Sequence, residues 1–228
     1  TKKSRYCFDF DGVDEYVNTT ITGNELNVNN AFTIAAWVRF DDGQSGSNQI
    51  ICGAETGNLN RIYFGIGSTG FLSLVMWGQT SYSLGGYGSV ENNDTGWVFI
   101  AGKWDSTVPN AYASFNGSTW NNTISGAIGT FDCTDNIWLG CKNNDGAYDD
   151  GMTGKISSIM FFTKALSQAE LDDLYSGGRF GEIHPKYAGA ASSLLAWYRM
   201  GDETSDTHTT LIDISGNSNE GTVAAMES

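Results

Sequence analysis

The chain has 228 residues, 40% hydrophobic and 13% aromatic, which is enough apolar side chain to close one large β core without requiring two domains. Its 26 acids against 12 bases leave a formal charge of −14, which repels nucleic-acid phosphates and anionic lipid and favours cations or neutral ligands. No apolar run approaches the roughly 18–20 residues of a membrane span, so membrane insertion is not expected, and "TKKSRYCFDF" at the start has no apolar core and does not read as a secretory signal: either a leader has been removed or this is a fragment of a larger chain.

Strand signals follow one another along the chain: "RYCFDF", "FTIAAWVRF", "QIICGA", "RIYFGI", "FLSLVMW", "WVFIAGKW", "AYASF", "NIWLG", "GKISSIMFF" and "LLAWYRM". Each is short, rich in β-branched and aromatic residues, and bounded by Gly, Asn, Asp or Ser. This predicts an all-β sandwich or barrel. "GIGSTG" at 65–70 spells a dinucleotide fingerprint, but a strand follows it where the chemistry needs a helix N-terminus, so it reads as a glycine-rich hairpin turn. One short helix is predicted near 167–176. Ser167 and Glu170 form a capping box there, Leu171, Leu174 and Tyr175 share a face, and Gly177 supplies the stop. After it the composition shifts, dividing a body of 1–177 from a 178–228 connector and tail that either packs on the same domain or begins another unit.

Catalytic constellations are thin. The acids fall in loops or on the exposed helix face, so no strand offers the paired carboxylates of a glycoside hydrolase. The two histidines, His184 and His208, sit in the connector and tail, away from any nucleophile motif. Cys7, Cys52, Cys133 and Cys141 have no zinc spacing; two disulfides and four reduced core thiols both fit them. Trp37, Trp97, Trp104 and Trp138 lie in strand contexts and are read as core.

Two acidic stretches offer hard oxygens. "NNDGAYDDG" at 143–151 brings Asn143, Asn144, Asp145, Asp149 and Asp150 together, and Ca²⁺ takes 6–8 such ligands; a plain polar turn has the same composition. "FDFDGVDEYV" sets Asp11 and Asp14 at a tight turn, where an Asx-stabilised turn competes with a cation site. Tyr148, Tyr87 and Trp120 stand in turn-like contexts, where an aromatic face can stack on a sugar.

In their order, "FDFDGVDEYVNT", "FTIAAWVRF", "WVFIAGKWD", "AYASFNGSTW" and "NIWLGCKNNDGAYDDGMTGKISSIMFFTKALSQAELDDLY" resemble the laminin G-like and pentraxin-like branch of the concanavalin A-like lectin/glucanase superfamily over residues 5–177. The resemblance implies a two-sheet antiparallel jelly roll, bound calcium, and recognition of glycan or protein rather than catalysis. It puts metal ligands at Asn143, at Asn144 or Asp145, and at Asp149 or Asp150, with Lys142 and the pair Ser157 and Ser158 at positions where acids would be expected. The tail, with Trp197, Gly201, Asp202, Asp213, Ser215, Gly216, Asn217 and Gly221, resembles a segment that flanks such domains in surface and bacteriophage virion proteins.

The expected function is therefore calcium-dependent binding of a glycan or surface polysaccharide at a virion or extracellular surface. The chain would act within a homo-oligomer or larger virion assembly. A structural decoration role in a virion is the alternative, followed by a glycoside hydrolase.

Overall fold

The computed structural model describes residues 7–175 and 191–225 apart from 27, 44, 59, 79–80, 90–94, 108–109, 116–117, 124–129, 202 and 208, and gives backbone alone for 81–89, 110–115, 118–123 and 191. Strands are numbered in chain order. In sheet I the order is β1 (Phe8–Asp11), β14 (Thr153–Phe162), β3 (Ala31–Phe40), β8 (Val98–Asp105), β9 (Asn110–Phe115) and β10 (Ser118–Thr123), with β15 (Leu194–Arg199) also paired to β14. In sheet II it is β16 (Thr210–Leu211), β17 (Gly221–Ala224), β2 (Tyr16–Thr22), β11 (Asn136–Leu139), β4 (Gln49–Thr56), β5 (Asn60–Ile66), β6 (Phe71–Trp77) and β7 (Ser81–Ser89). A small hairpin of β12 (Lys142–Asn144) and β13 (Ala147–Asp149) joins sheet II through β4, in the one parallel pairing among the described strands. The architecture is the expected all-β jelly-roll sandwich with one short helix.

The core lies between the sheets, where Phe32, Ile34, Val38, Phe40, Ile100 and Phe161 of sheet I meet Val17, Ile21, Ile62, Phe64, Leu72 and Leu74 of sheet II. Sheet I is buried on its other face too. Helix α1 (Gln168–Tyr175) lays Leu171 and Leu174 over Ala35, Trp37, Phe99, Met160 and Phe162. That explains why "FTIAAWV" shows no period of two: alternate residues of β3 reach two different apolar layers. Burying each leucine contributes about 1.5–3 kcal/mol.

The helix starts as its sequence dictates. Glu170 N–H donates to Ser167 Oγ at 3.3 Å, and Ser167 N–H donates back to Glu170 Oε2 at 2.7 Å. Tyr175 stacks on Trp37 with ring centroids 5.9 Å apart. Gly177, the expected stop, lies outside the described residues. "GIGSTG" closes the β5–β6 turn, with Gly67 N–H donating to Phe71 O at 2.9 Å and Gly70 at φ +78°. Trp37, Trp104 and Trp138 are buried, while Trp97 packs half-buried beside the helix-side layer.

The tail adds strands to both sheets, β15 beside β14 and β17 beside β2. Buried Asp213 organises it. Its Oδ1 accepts from Trp197 N–H and Ser215 N–H, both at 2.9 Å, and its Oδ2 accepts from Ser215 Oγ at 2.7 Å and Asn219 N–H at 3.0 Å. Asn217 and Asn219 side chains donate to Leu195 O at 3.1 and 2.8 Å. All four cysteines are free thiols; Cys52, Cys133 and Cys141 are buried, and Cys7 is half-buried.

Candidate functional site

Sheet II differs from sheet I in its outer face. On β5 and β6 alternate residues point away from the core, so Ile62, Phe64, Leu72 and Leu74 are buried inside, while Arg61, Tyr63, Ser73 and Trp77 are only half-buried outside. Ladder register puts Glu55, Arg61 and Trp77 in one row across β4, β5 and β6, and Gly53, Tyr63 and Val75 in the next. The Arg61 guanidinium lies 4.5 Å from the Trp77 ring centroid, a cation–π contact that holds the indole against the sheet. Gly53 is required in its row, because a Cβ there would come within 2.7 Å of the Tyr63 Cβ.

The 142–151 segment is a hairpin that pairs with β4 beside these rows. Asp145 and Gly146 both have positive φ, 48° and 85°, the pattern of a two-residue type I′ turn, for which Asp-Gly is a preferred sequence. Asn143 is buried and spends its side chain locally: Nδ2 donates to Asn136 O at 2.8 Å, and Oδ1 accepts from Gly146 N–H at 2.8 Å. Asp145 Oδ1 accepts from Gly57 N–H at 2.9 Å. Asp150 Oδ2 accepts from Asn48 Nδ2 at 3.4 Å.

Lys142 is the centre of this segment. Its Nζ lies 2.9 Å from Glu55 Oε2 and 2.9 Å from Asp149 Oδ2, and Arg61 reaches the other Glu55 oxygen at 3.0 Å. Glu55 is 2% exposed and the Lys142 side chain 6%, so each charge needs its partners in place of water. Burial would lower the Lys142 pKa, but the hydrogen bonds to Asp149 and Glu55 outweigh it and hold the ammonium above the ordinary lysine value. The sequence reads as having no strand with paired carboxylates, and the two acids here come from different strands, Glu55 from β4 and Asp149 from β13. Both are committed to one ammonium rather than presented to a cleft.

The hairpin residues do not fit a calcium ion as they stand. Asp149 is paired with Lys142 and accepts from Asn144 Nδ2 at 3.2 Å, the Asn143 oxygen is buried and turned to Gly146 N–H, and among the described residues no three His, Cys, Asp or Glu side chains are placed to share a metal. Asp11 makes an Asx turn, accepting from Val13 N–H at 2.7 Å, and Glu15 Oε2 accepts from Asp11 N–H at 2.7 Å. Asp11 and Asp14 line an open cleft of about 850 Å³ with Asp9, Glu15 and Asp41, apart from the Arg61 and Trp77 row.

Tyr148 sits between the two acidic stretches, with its ring 6.4 Å from that of Tyr16, itself stacked on Trp138 at 3.9 Å. Its hydroxyl is buried against Gly151 with no hydrogen-bond partner. Burial first, then the nearby Cys141, Asp11, Asp14 and Glu15, push its pKa up. The residue as a whole is half-buried, so it is the hydroxyl rather than the entire ring that is enclosed. Tyr87 and Trp120 lie on β7 and β10, and their side chains are outside the described residues. Arg61, Tyr63 and Trp77 were missed because aromatics were sought in loops; the alternation in "RIYFGI" and "FLSLVMW" carried the signal.

Comparison with known proteins agrees with this architecture. The laminin G-like family described as concanavalin A-like lectin/glucanases superfamily matches residues 11–172. No curated protein matches the chain in sequence. Among solved structures, a candidate carbohydrate binding protein from Bacteroides ovatus ATCC 8483 superposes with a TM-score of 0.66 at 17% identity, covering 99% of this chain, which spans 60% of that protein's length. The CBM40 of the Ruminococcus gnavus IT-sialidase gives 0.57 at 15% identity over 74% of this chain and 97% of its own. A heptameric SAP-like pentraxin from Limulus polyphemus gives 0.55 at 14% identity over 94% and 92%. At these identities the likeness is one of fold.

Proposed function

Because the chain belongs to the concanavalin A-like lectin/glucanase superfamily, we propose that it is a non-catalytic carbohydrate-recognition module that binds glycan on the outer face of sheet II. The observation that carries this reading is the half-buried Trp77 ring, in contact with Arg61 on a sheet face that no helix among the described residues covers. A half-buried indole offers an apolar surface to the C–H face of a pyranose, and Arg61 and Tyr63 bring polar atoms beside it for the hydroxyls. The carbohydrate-binding proteins among the structural neighbours support the ligand class. The charge of −14 favours neutral over strongly anionic glycans.

The same proposal includes a virion or extracellular surface as the setting, supported by the tail motif alone. Assembly into a ring of copies is supported by the shared fold of the heptameric pentraxin, and would multiply weak single-site contacts. A glycan array probed with the full chain and with Trp77→Ala tests the binding reading. Hits that need Trp77 support it, and a silent array counts against it.

A further inference from the structure

We propose that the Lys142 ammonium is the resident cation of the 142–151 hairpin, joining carboxylates that a divalent ion would otherwise have to bridge, so that this surface is ordered without metal. The carboxylates come from different segments, Glu55 from β4 and Asp149 from β13, and the ammonium is 2.9 Å from an oxygen of each. It adds a side-chain tie to the backbone contacts between hairpin and sheet, which are the short ladder of Lys142 to Asn144 against Gly53 to Glu55, Asp145 N–H donating to Glu55 O at 3.1 Å, and Ile50 N–H donating to Asp150 O at 3.0 Å beside the Ile50–Gly151 bridge.

The charge count closes within the cluster. Glu55 and Asp149 are met by Lys142 and Arg61, so this pair holds no surplus negative charge for an incoming ion; Asp145 and Asp150 of the same hairpin lie outside the pair and accept from Gly57 N–H and Asn48 Nδ2. A divalent ion between the two carboxylates would have to displace a like-charged group already seated there. The tether also runs onward, from Asp149 through Lys142 and Glu55 to Arg61 and the Trp77 ring. The inference does not depend on the glycan reading, since it is read out by stability rather than by binding.

The test is thermal unfolding of the full chain, of Lys142→Gln, and of the double variant Glu55→Gln with Lys142→Gln, each in EDTA and in millimolar calcium. The unaltered chain is expected to melt at the same temperature in both. Lys142→Gln should melt roughly 5–10 °C lower in EDTA, because Asp149 and one oxygen of buried Glu55 lose the ammonium between them, Arg61 still meeting the other, and calcium should restore part of the loss. The double variant should melt above the single one and ignore calcium. Calcium stabilisation of the unaltered chain overturns the proposal, as does a Lys142→Gln variant that melts normally or whose loss calcium does not repair. Should Lys142→Gln fail to fold, terbium luminescence of the unaltered chain decides: silence supports the proposal, and saturable micromolar binding overturns it.

Discussion

Arg61 and Trp77 face each other directly across the β5–β6 ladder, with the guanidinium 4.5 Å from the indole centroid and one of its nitrogens 3.0 Å from Glu55. A side chain free on both sides would sample many rotamers; this one is clamped between a carboxylate and a ring. Arg61→Met keeps most of the stem but removes the plane and the charge. It is expected to weaken glycan binding by about 0.5–2 kcal/mol, on the order of threefold to thirtyfold, because Trp77 is no longer held. Isothermal titration against the best array hit measures the change, and circular dichroism confirms that the sheet is intact.

The capping box makes a second prediction with a pH signature. Burial would raise the Glu170 pKa, but the Lys164 ammonium at 2.7 Å and the donors of Ser167 outweigh it and hold the carboxyl below the ordinary value of 4.5. A depressed carboxyl stabilises the folded state above its unfolded pKa and loses that contribution as pH falls through the folded one. The melting difference between the unaltered chain and Glu170→Gln should therefore be full at pH 7 and shrink below about pH 4.5. Ser167→Ala should cost about 1 kcal/mol, some 2–4 °C in midpoint.

Removal of the tail should be severe. Asp213 accepts four hydrogen bonds that hold β15 and the 215–219 turn, and β15 and β17 cover strand edges in both sheets. Asp213→Ala is expected to destabilise by about 3 kcal/mol, by leaving several buried donors unmet. Truncation after residue 177 should abolish cooperative unfolding. Urea denaturation followed by tryptophan fluorescence measures both.

Thiol chemistry gives a further check on the core. Burial pushes the Cys141 thiol up to about 12 and raises Cys52, Cys133 and Cys7 as well. Native protein should therefore react slowly with iodoacetamide at neutral pH, with half-buried Cys7 first, while all four should react in denaturant without reductant. Mass spectrometry of the alkylated chain counts them.

The fold was legible where local chemistry and tertiary environment agree. The Ser167 and Glu170 box, the glycine turn at 65–70 and the apolar strands are short-range signals, and the structure uses each as written. β3 was legible as a strand but not as a doubly covered one, because a run such as "FTIAAWV" does not say what lies on its second face. The site was harder to read for two physical reasons. Asp145-Gly146 is a hairpin turn as well as an acidic cluster, and composition does not separate the two. Lys142 and Glu55 are distant in sequence and meet only through the parallel pairing of β12 with β4, which no local pattern encodes. Trp77 was readable by counting alternate residues, but its importance depends on which sheet face α1 covers.

The central claim is that the outer face of sheet II binds glycan through Trp77. Isothermal titration of the strongest array ligand into the full chain in EDTA, repeated with Trp77→Ala, tests it most directly. The account predicts saturable binding to the unaltered chain and a loss of roughly tenfold or more in the variant, with an unchanged melting curve. Equal affinity of the two proteins for that ligand would contradict it.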